Sequence, residues 1–300
     1  MTGMRTRLNS LKRLPEQNEP FSNGDSLIEI DEQLTPFLPA EKRFDYLLSL
    51  SGEIFRQVKN RRTLKVRIGP DPFFIKIHLG CGWGEIFKNL FRFQRPVVSA
   101  SNEWLAAEQL RKLGVSVPRI FGKGQRGRNP AALESFVLME SLEGMISLED
   151  LVTQLPSGKK GIQLKRQLIR SIAVIAKLVH ENGMNHRDFY LCHFLVRDRD
   201  WSRWKDGESL ELYLIDLHRV QIRTTVPTRW LIKDLGGLLF SAFDCGLTSS
   251  DLIRFLRIYQ PGYQQILREK NGIWRKVFKT GRTLYQGYHR RPVPGLSLSK

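Results

Sequence analysis

Two charged residues stand where an apolar pattern leaves little room for them, and what lies between them restricts the fold more than any other feature. Lys76 interrupts the strand-like run FFIKIH, and Asp216 closes a second such run, LYLID. Between them the stretch KRQLIRSIAVIAKLVHENG repeats Leu168, Ile172, Ile175 and Val179 along one helical face. It closes at Gly183 and delivers the chain to His186-Arg187-Asp188. A lysine or carboxylate in apolar surroundings is costly unless an opposite charge or a ligand meets it. The pattern therefore predicts a site assembled from both halves of the chain.

Residues 1–43 are polar, punctuated by proline and weakly periodic, and are expected to form a flexible or loosely docked extension, with the fold beginning near Phe44. From there EIFRQV, TLKVRIG and FFIKIH predict an antiparallel meander broken by KNRR and GPDP. A helix is expected from Asn102 to Leu113, ending at Gly114, and SFVLME predicts a further strand. Beyond it, two short strands, FLV and LYLID, are expected to bracket the charged loop RDRDWSRWKDGESLE, with helices elsewhere. The predicted class is α+β in two lobes. Residues 44–140 form a small lobe with an antiparallel sheet and one main helix, and residues 141–300 form a larger, mainly helical lobe.

Composition bounds the partners. A formal net charge of +18 over 300 residues points to nucleic acid, an anionic membrane surface, a phosphorylated glycolipid or an acidic protein. The three cysteines, Cys81, Cys192 and Cys245, are widely spaced and form no C-x-x-C pair, so a reducing compartment is the simpler reading. The basic start has no apolar stretch of signal-peptide length, and Lys177 interrupts IAVIAKLV before it reaches the length of a membrane span. Any membrane contact is expected to be peripheral.

The charged residues suit phosphoryl transfer, which needs a cation on the phosphates, a carboxylate on Mg²⁺ and an acceptor for the hydroxyl proton. Asp188, after a helix and before a strand, is expected to orient and deprotonate the acceptor hydroxyl, with His186 and Arg187 beside it. Asp216 is the expected Mg²⁺ ligand. Lys76 is the expected phosphate lysine, with Glu103 as its partner and Glu108 as second choice. FVLME-SLEG resembles the hinge between kinase lobes, where Met139 shapes the back of an adenine pocket and backbone groups of Glu140 and Leu142 meet the adenine edge. Each signal has a bland reading: a local ion pair for HRD, an edge-strand lysine for Lys76, a turn cap for Asp216. Their order along the chain selects the protein-kinase-like fold.

The run HRDFYLCHFLV, with LIDLHRV downstream and NEWLAAEQLRKLGVSVP upstream, resembles the lipopolysaccharide core heptose kinases, specifically those acting on the first heptose. The resemblance covers most of the chain from Phe44. It implies ATP and Mg²⁺, a core glycolipid heptose as acceptor, and action at the cytoplasmic face of the inner membrane of a Gram-negative cell. The chain departs from the protein-kinase pattern in three ways. His193 stands where an asparagine would bind a second metal, and imidazole suits Mg²⁺ poorly. The metal aspartate lies in Asp216-Leu217-His218 and not in D-F-G. No G-x-G-x-x-G precedes Lys76; Arg61 and Arg62 in VKNRRTLKV are read either as cations over the phosphates or as a solvated turn.

The segment Gly82 to Pro96 alternates Trp83, Phe87, Phe91 and Phe93 with Lys88, Arg92 and Arg95. It is read either as small-lobe core with snorkelling cations or as an interfacial helix that docks on anionic lipid. Rival functions are a kinase of the same fold acting on another core sugar, an aminoglycoside or a protein hydroxyl, and a nucleotide-binding pseudokinase or basic adaptor. An acidic protein partner is compatible with the charge. No nucleic-acid motif is present, and no nucleic-acid partner is expected.

Overall fold

The computed structural model describes residues 26–91, 96–262, 264 and 272–294. Its first lobe is a six-stranded antiparallel sheet in the order β1-β5-β6-β4-β3-β2, built from β1 (Ser26–Ile30), β2 (Glu53–Val58), β3 (Arg61–Ile68), β4 (Asp71–Leu79), β5 (Ile120–Arg126) and β6 (Glu134–Glu140). Helix α1 (Arg43–Ser49) covers one face, burying Phe44, Leu47 and Leu48 against Phe73, Ile75 and Ile77. Strand side chains alternate between faces. With Phe73, Ile75 and Ile77 in that core, Phe74, Lys76 and His78 of β4 fall on the opposite face, toward the other lobe. Strands β2 and β3 join through a two-residue turn at Lys59-Asn60, with Lys59 in the left-handed region at φ 48°.

The sheet begins earlier than the expected boundary at Phe44. Strand β1 pairs with β5 from Ser26↔Arg126 to Ile30↔Gly122, and Leu34 and Leu38 are buried in the lobe core. The described part of the expected extension is therefore a docked edge of the fold; residues 1–25 lie outside the described residues. Strand β5, IFGKGQR, was also not expected. Its two interior glycines break the apolar alternation that marks a strand, and they admit close neighbours: a Cβ on Gly124 would lie 2.4 Å from the Phe136 ring.

Helix α2 (Gly82–Phe91) follows β4, and helix α3 (Ser101–Lys112) packs on β5 and β6. Beyond β6, strand β7 (Met145–Ser147) leads into the short helix α4 (Leu148–Leu151) and the long α5 (Lys159–Glu181), whose stripe Leu168, Ile172, Ile175 and Val179 enters the main core as its periodicity predicts. Then come β8 (Met184–Asn185), β9 (Phe194–Arg197), α6 (Asp198–Ser202), β10 (Tyr213–Leu214) and β11 (Gln221–Ile222), followed by α7 (Thr228–Ala242), α8 (Ser249–Tyr259) and α9 (Ile273–His289). Helix α7 packs on α9, and α5 on α8. The charged stretch after β9 is not all loop: it contains α6 and a buried Trp204.

A three-stranded antiparallel sheet, β10-β9-β7, and the pair β8/β11 fix the short turns of the second lobe. Strand β9 pairs with β10 at Phe194↔Leu214, and β8 pairs with β11 at Asn185↔Gln221. The turn after β8 is thereby brought beside the turn before β11. Gly183 permits the approach: its φ is 74°, its carbonyl accepts from the Arg223 amide at 2.9 Å, and a Cβ there would overlap the Arg223 carbonyl at 1.7 Å.

Candidate functional site

Lys76 leaves β4 toward the cleft between the lobes, where its Nζ donates to Glu103 Oε1 at 2.6 Å and to Asp216 Oδ1 at 3.4 Å. The expected pairing with Glu103 is present. Glu108, the alternative, lies one turn away and instead accepts from Lys123 at 2.7 Å. Burial alone pushes the Lys76 ammonium down, but the charges and hydrogen bonds of Glu103 and Asp216 outweigh it and raise its pKa above the usual lysine value. One cation thus ties a strand and a helix of the small lobe to an acid of the large lobe.

Asp216 follows β10 in the left-handed region at φ 61°, a conformation that costs a non-glycine residue about 1–3 kcal/mol. Burial pushes its carboxyl up, yet the His218 hydrogen bond and the charges of Lys76, His218 and His193 hold it well below the usual carboxylate range. Oδ1 accepts from His218 Nδ1 at 2.7 Å as well as from Lys76. Oδ2 faces His193, whose Nε2 is 3.8 Å away. His193 Nδ1 donates to the Asp188 carbonyl at 2.7 Å, which fixes the ring with Nε2 toward Asp216.

The His186-Arg187-Asp188 turn is held from behind by a residue not anticipated from the sequence. Asp234, on α7, is fully buried; its Oδ2 accepts from the His186 amide at 2.6 Å and its Oδ1 from the Arg187 amide at 2.8 Å. Those two bonds brace Arg187 at φ 74°, a second non-glycine in the left-handed region. A carboxylate inside the apolar helical run WLIKDLGGLLF was the available signal for it. His186 is wholly buried, and burial holds its imidazole below the usual pKa and neutral. Its Nε2 donates to the Ile215 carbonyl at 3.0 Å, stapling the turn to the Asp216 segment. Arg187 is also buried, with its guanidinium over the Trp230 ring. Of the three, Asp188 alone offers its side chain toward solvent. Both its oxygens accept from Arg219 Nη1, at 2.8 and 2.9 Å. Arg219, three residues after Asp216, was likewise not anticipated.

The cleft encloses about 1130 Å³. Met139, Glu140 and Leu142 line one end, with Lys76, Asp216 and His193 farther in. Met139 packs with Trp104 and Val137. The Glu140 amide is not available to a ligand, since it donates to the Arg119 carbonyl at 2.8 Å; the amide of Leu142 meets no described residue. Arg61 and Arg62 are not a solvated turn. They open β3, half-buried along the cleft, and donate to the carbonyls of Val97 and Leu48 respectively. His78, two residues beyond Lys76 on the same face, is buried with an Nδ1 that has no partner among the described residues. Burial, with the charges of Arg61, His218 and Lys76, pushes its pKa down to about 3.

Helix α2 borders the same cleft through Glu85 and Lys88. Its other side is open: Trp83 and Phe87 are each 51% exposed, with rings stacked 5.9 Å apart, and Phe91 is 83% exposed, while Ile86 is its buried residue. The core reading of this segment does not hold for these three aromatics; Arg92, Phe93 and Arg95 lie outside the described residues. No helix among the described residues is long and apolar enough to cross a membrane.

Comparison with known proteins agrees with this arrangement. Residues 45–259 match the lipopolysaccharide kinase (Kdo/WaaP) family. The chain is 37% identical over 248 residues to the lipopolysaccharide core heptose(I) kinase WaaP of Escherichia coli, covering 82% of this chain and 92% of that one. It is 38% identical over 245 residues to the enzyme of the same name from Pseudomonas aeruginosa, covering 81% and 90%. A solved structure of WaaP in complex with acyl carrier protein superposes with a TM-score of 0.72 at 31% identity, covering 86% of this chain and 99% of that one. The match in sequence and fold, spanning both lobes and the cleft between them, places this chain in the lipopolysaccharide kinase (Kdo/WaaP) family.

Proposed function

We propose that the protein transfers the γ-phosphate of ATP to a heptose hydroxyl of the lipopolysaccharide inner core. The observation that carries this reading is the Lys76–Glu103–Asp216 chain crossing the cleft beside the braced Asp188 turn. Lys76 positions the donor phosphates and Glu103 orients Lys76. Asp188 accepts the proton of the acceptor hydroxyl, while His186, Arg187 and Asp234 hold the turn that presents it. The adenine lies toward Met139, with the Leu142 amide and the carbonyl of Glu140 as its edge partners.

The donor set suits Mg²⁺ bound chiefly through nucleotide phosphates and water. Among the described residues no group of three or more His, Cys, Asp or Glu side chains forms a metal cage, and Mg²⁺ characteristically takes one or two carboxylates and keeps several waters. Asp216, held ionised, offers Oδ2, and His193 Nε2 is its neighbour at 3.8 Å. When bound, the ion would neutralise charge on the transferring phosphates. The protein's own part is to keep Asp216 deprotonated and aimed by His218 and Lys76.

Two contacts outside the cleft belong to the same reading. The exposed aromatics of α2, with Lys88 on the same helix, suit peripheral docking on anionic lipid at the cytoplasmic face of the inner membrane. The charge of +18 suits an acidic protein partner, the class to which the acyl carrier protein bound to WaaP belongs. The decisive assay offers labelled ATP together with heptose-containing core glycolipid, a protein mixture and an aminoglycoside. Label is expected in the glycolipid; label in either of the others with none in the glycolipid would replace the acceptor assignment.

A further inference from the structure

Several cations of this chain meet carboxylates directly. Lys65 reaches Glu143 at 2.7 Å, Lys123 lies between Glu29 and Glu108, and Arg126 between Asp45 and Glu134. The cations beyond Asp188 are arranged differently. The guanidinium carbons of Arg187 and Arg229 each lie 5.2 Å, and Lys233 Nζ 5.5 Å, from the centre of the single Trp230 ring. An aromatic face attracts each of them, but a neutral ring does not cancel the charge of Lys233.

Nor do the nearby acids. Asp234, the chain neighbour of Lys233, has both oxygens committed to the His186 and Arg187 amides. Asp188 is held by Arg219. Among the described residues Lys233 has no carboxylate within ion-pair distance. Burial, followed by the charge of Arg219, pushes its ammonium below the usual lysine pKa.

Arg219 adds a shape to this charge. Nη1 is spent on Asp188, but its Nε and Nη2 donate to no described residue, and the side chain is 30% exposed. That leaves the edge of the guanidinium fork that binds carboxylate or phosphate through two parallel hydrogen bonds. Neither Arg219 nor Lys233 lines the donor cleft, whereas His193, which binds the Asp188 carbonyl, does. Arg219, bound to Asp188, lines a smaller pocket outside the donor cleft, with Val97, Asn102 and Gln221.

We propose that Arg219 and Lys233 form an anion subsite for the acceptor, holding a carboxylate or phosphate substituent of the saccharide next to the hydroxyl that Asp188 deprotonates. The proposal rests on the sugar-kinase reading and makes its acceptor an acidic saccharide. Arg219 would then join the acceptor's anion to the base itself, so that correct seating of the sugar also aligns Asp188.

The test uses the full-length protein and a deacylated, heptose-containing core oligosaccharide in four forms: native, carboxyl-reduced, dephosphorylated and doubly treated. Wild type is expected to show a KM about tenfold lower for the native form than for the doubly treated one, and the two singly treated forms tell carboxylate from phosphate. Lys233→Gln should raise KM for the native form about tenfold, keep KM for ATP within twofold, and match wild type on the doubly treated form. Lys233→Arg should restore the native value. The wild-type preference needs no variant to fold; its absence would overturn the subsite. An equal loss by Lys233→Gln on the native and doubly treated forms, or a raised KM for ATP, would also overturn it, the latter assigning Lys233 to the donor phosphates. If wild type transfers phosphate to no form, the sugar-kinase reading itself fails, and the subsite with it.

Discussion

The two flanks of Asp188 handle charge in opposite ways. On the nucleotide flank Lys76 is met by Glu103 and Asp216, and Asp216 by His218, so that each formal charge has an opposite one in place before any ligand arrives. On the far flank Lys233 rests on an indole ring, with no carboxylate within ion-pair distance among the described residues. A closed network holds geometry without its substrate, and an open one is completed by it. On the proposed reading the Lys76 flank is a preorganised frame for the nucleotide, and the Arg219 flank is where the enzyme would distinguish its own substrate.

The largest effect expected of any substitution lies where the flanks join. Asp188→Asn keeps the hydrogen-bonding shape but removes the proton acceptor. Turnover should fall roughly a hundredfold or more, since a positioned base contributes about that much, while nucleotide affinity, set on the donor flank, changes less than twofold. Nucleotide titration alongside single-turnover transfer measures both. Near-normal turnover in a folded variant would remove Asp188 from the mechanism.

The closed network should fail in a graded way. Glu103→Ala leaves Lys76 buried with one carboxylate fewer, and breaking a buried pair costs about 3–5 kcal/mol in the limit of full burial. Its thermal midpoint should drop and its KM for ATP should rise about tenfold. Lys76→Ala should raise KM for ATP similarly, since it takes away the cation itself. Glu108→Ala, which removes only a half-exposed pair with Lys123, should change KM less than twofold. Equal effects from Glu103→Ala and Glu108→Ala would show that the network has no preferred partner.

How much of this contrast was legible in the sequence depends on where each charge sits. Lys76 and Asp216 break or end apolar runs, and period-2 alternation places Lys76 on the cleft face of β4, so the donor flank could be assembled from the sequence pattern. Glu103, at the start of its helix, was the first choice of partner over Glu108, and the packing of Trp104 against Val137 and Met139 turns it to Lys76. Arg219 and Lys233 sit in stretches where a cation is unremarkable. What makes them unusual is a pairing across 31 residues with Asp188 and the convergence on Trp230, contacts set by the β8/β11 register and by α7. Strand β1 was missed for a related reason: SLIEI is exposed along most of an edge, and its partner β5 is obscured by glycines.

His78 sharpens the contrast through pH. The unfolded chain protonates this imidazole near the usual histidine value of about 6.5, whereas the folded chain keeps it neutral down to about 3. Below pH 6.5 the unfolded state binds the extra proton, so the residue's contribution to stability is full above that pH and falls by up to about 1.4 kcal/mol per unit as acid is added. His78→Gln should flatten the fall of the thermal midpoint between pH 6.5 and 4.5 relative to wild type. The similarly buried His186 remains in both proteins, so the difference between the two curves reports His78 alone. Parallel curves would mean that His78 is solvated and open to protonation.

The smallest effect on stability is expected at the outer edge of the donor flank, on α2. Trp83, Phe87 and Phe91 are at least half exposed in the folded chain, so replacing all three by serine forgoes little burial and should move the thermal midpoint by no more than about 3 °C. Lys76, Asp188 and Asp216 would be undisturbed, and phosphate transfer to a delipidated, water-soluble acceptor should persist. Binding to vesicles containing anionic lipid should be lost, because the apolar half of the interfacial attraction is gone while Lys88 supplies only a screened charge. Co-sedimentation with vesicles and thermal denaturation, run side by side, separate the outcomes. Undiminished vesicle binding would reject α2 as the docking element, and a large fall in midpoint with activity lost on every acceptor would return these aromatics to the core.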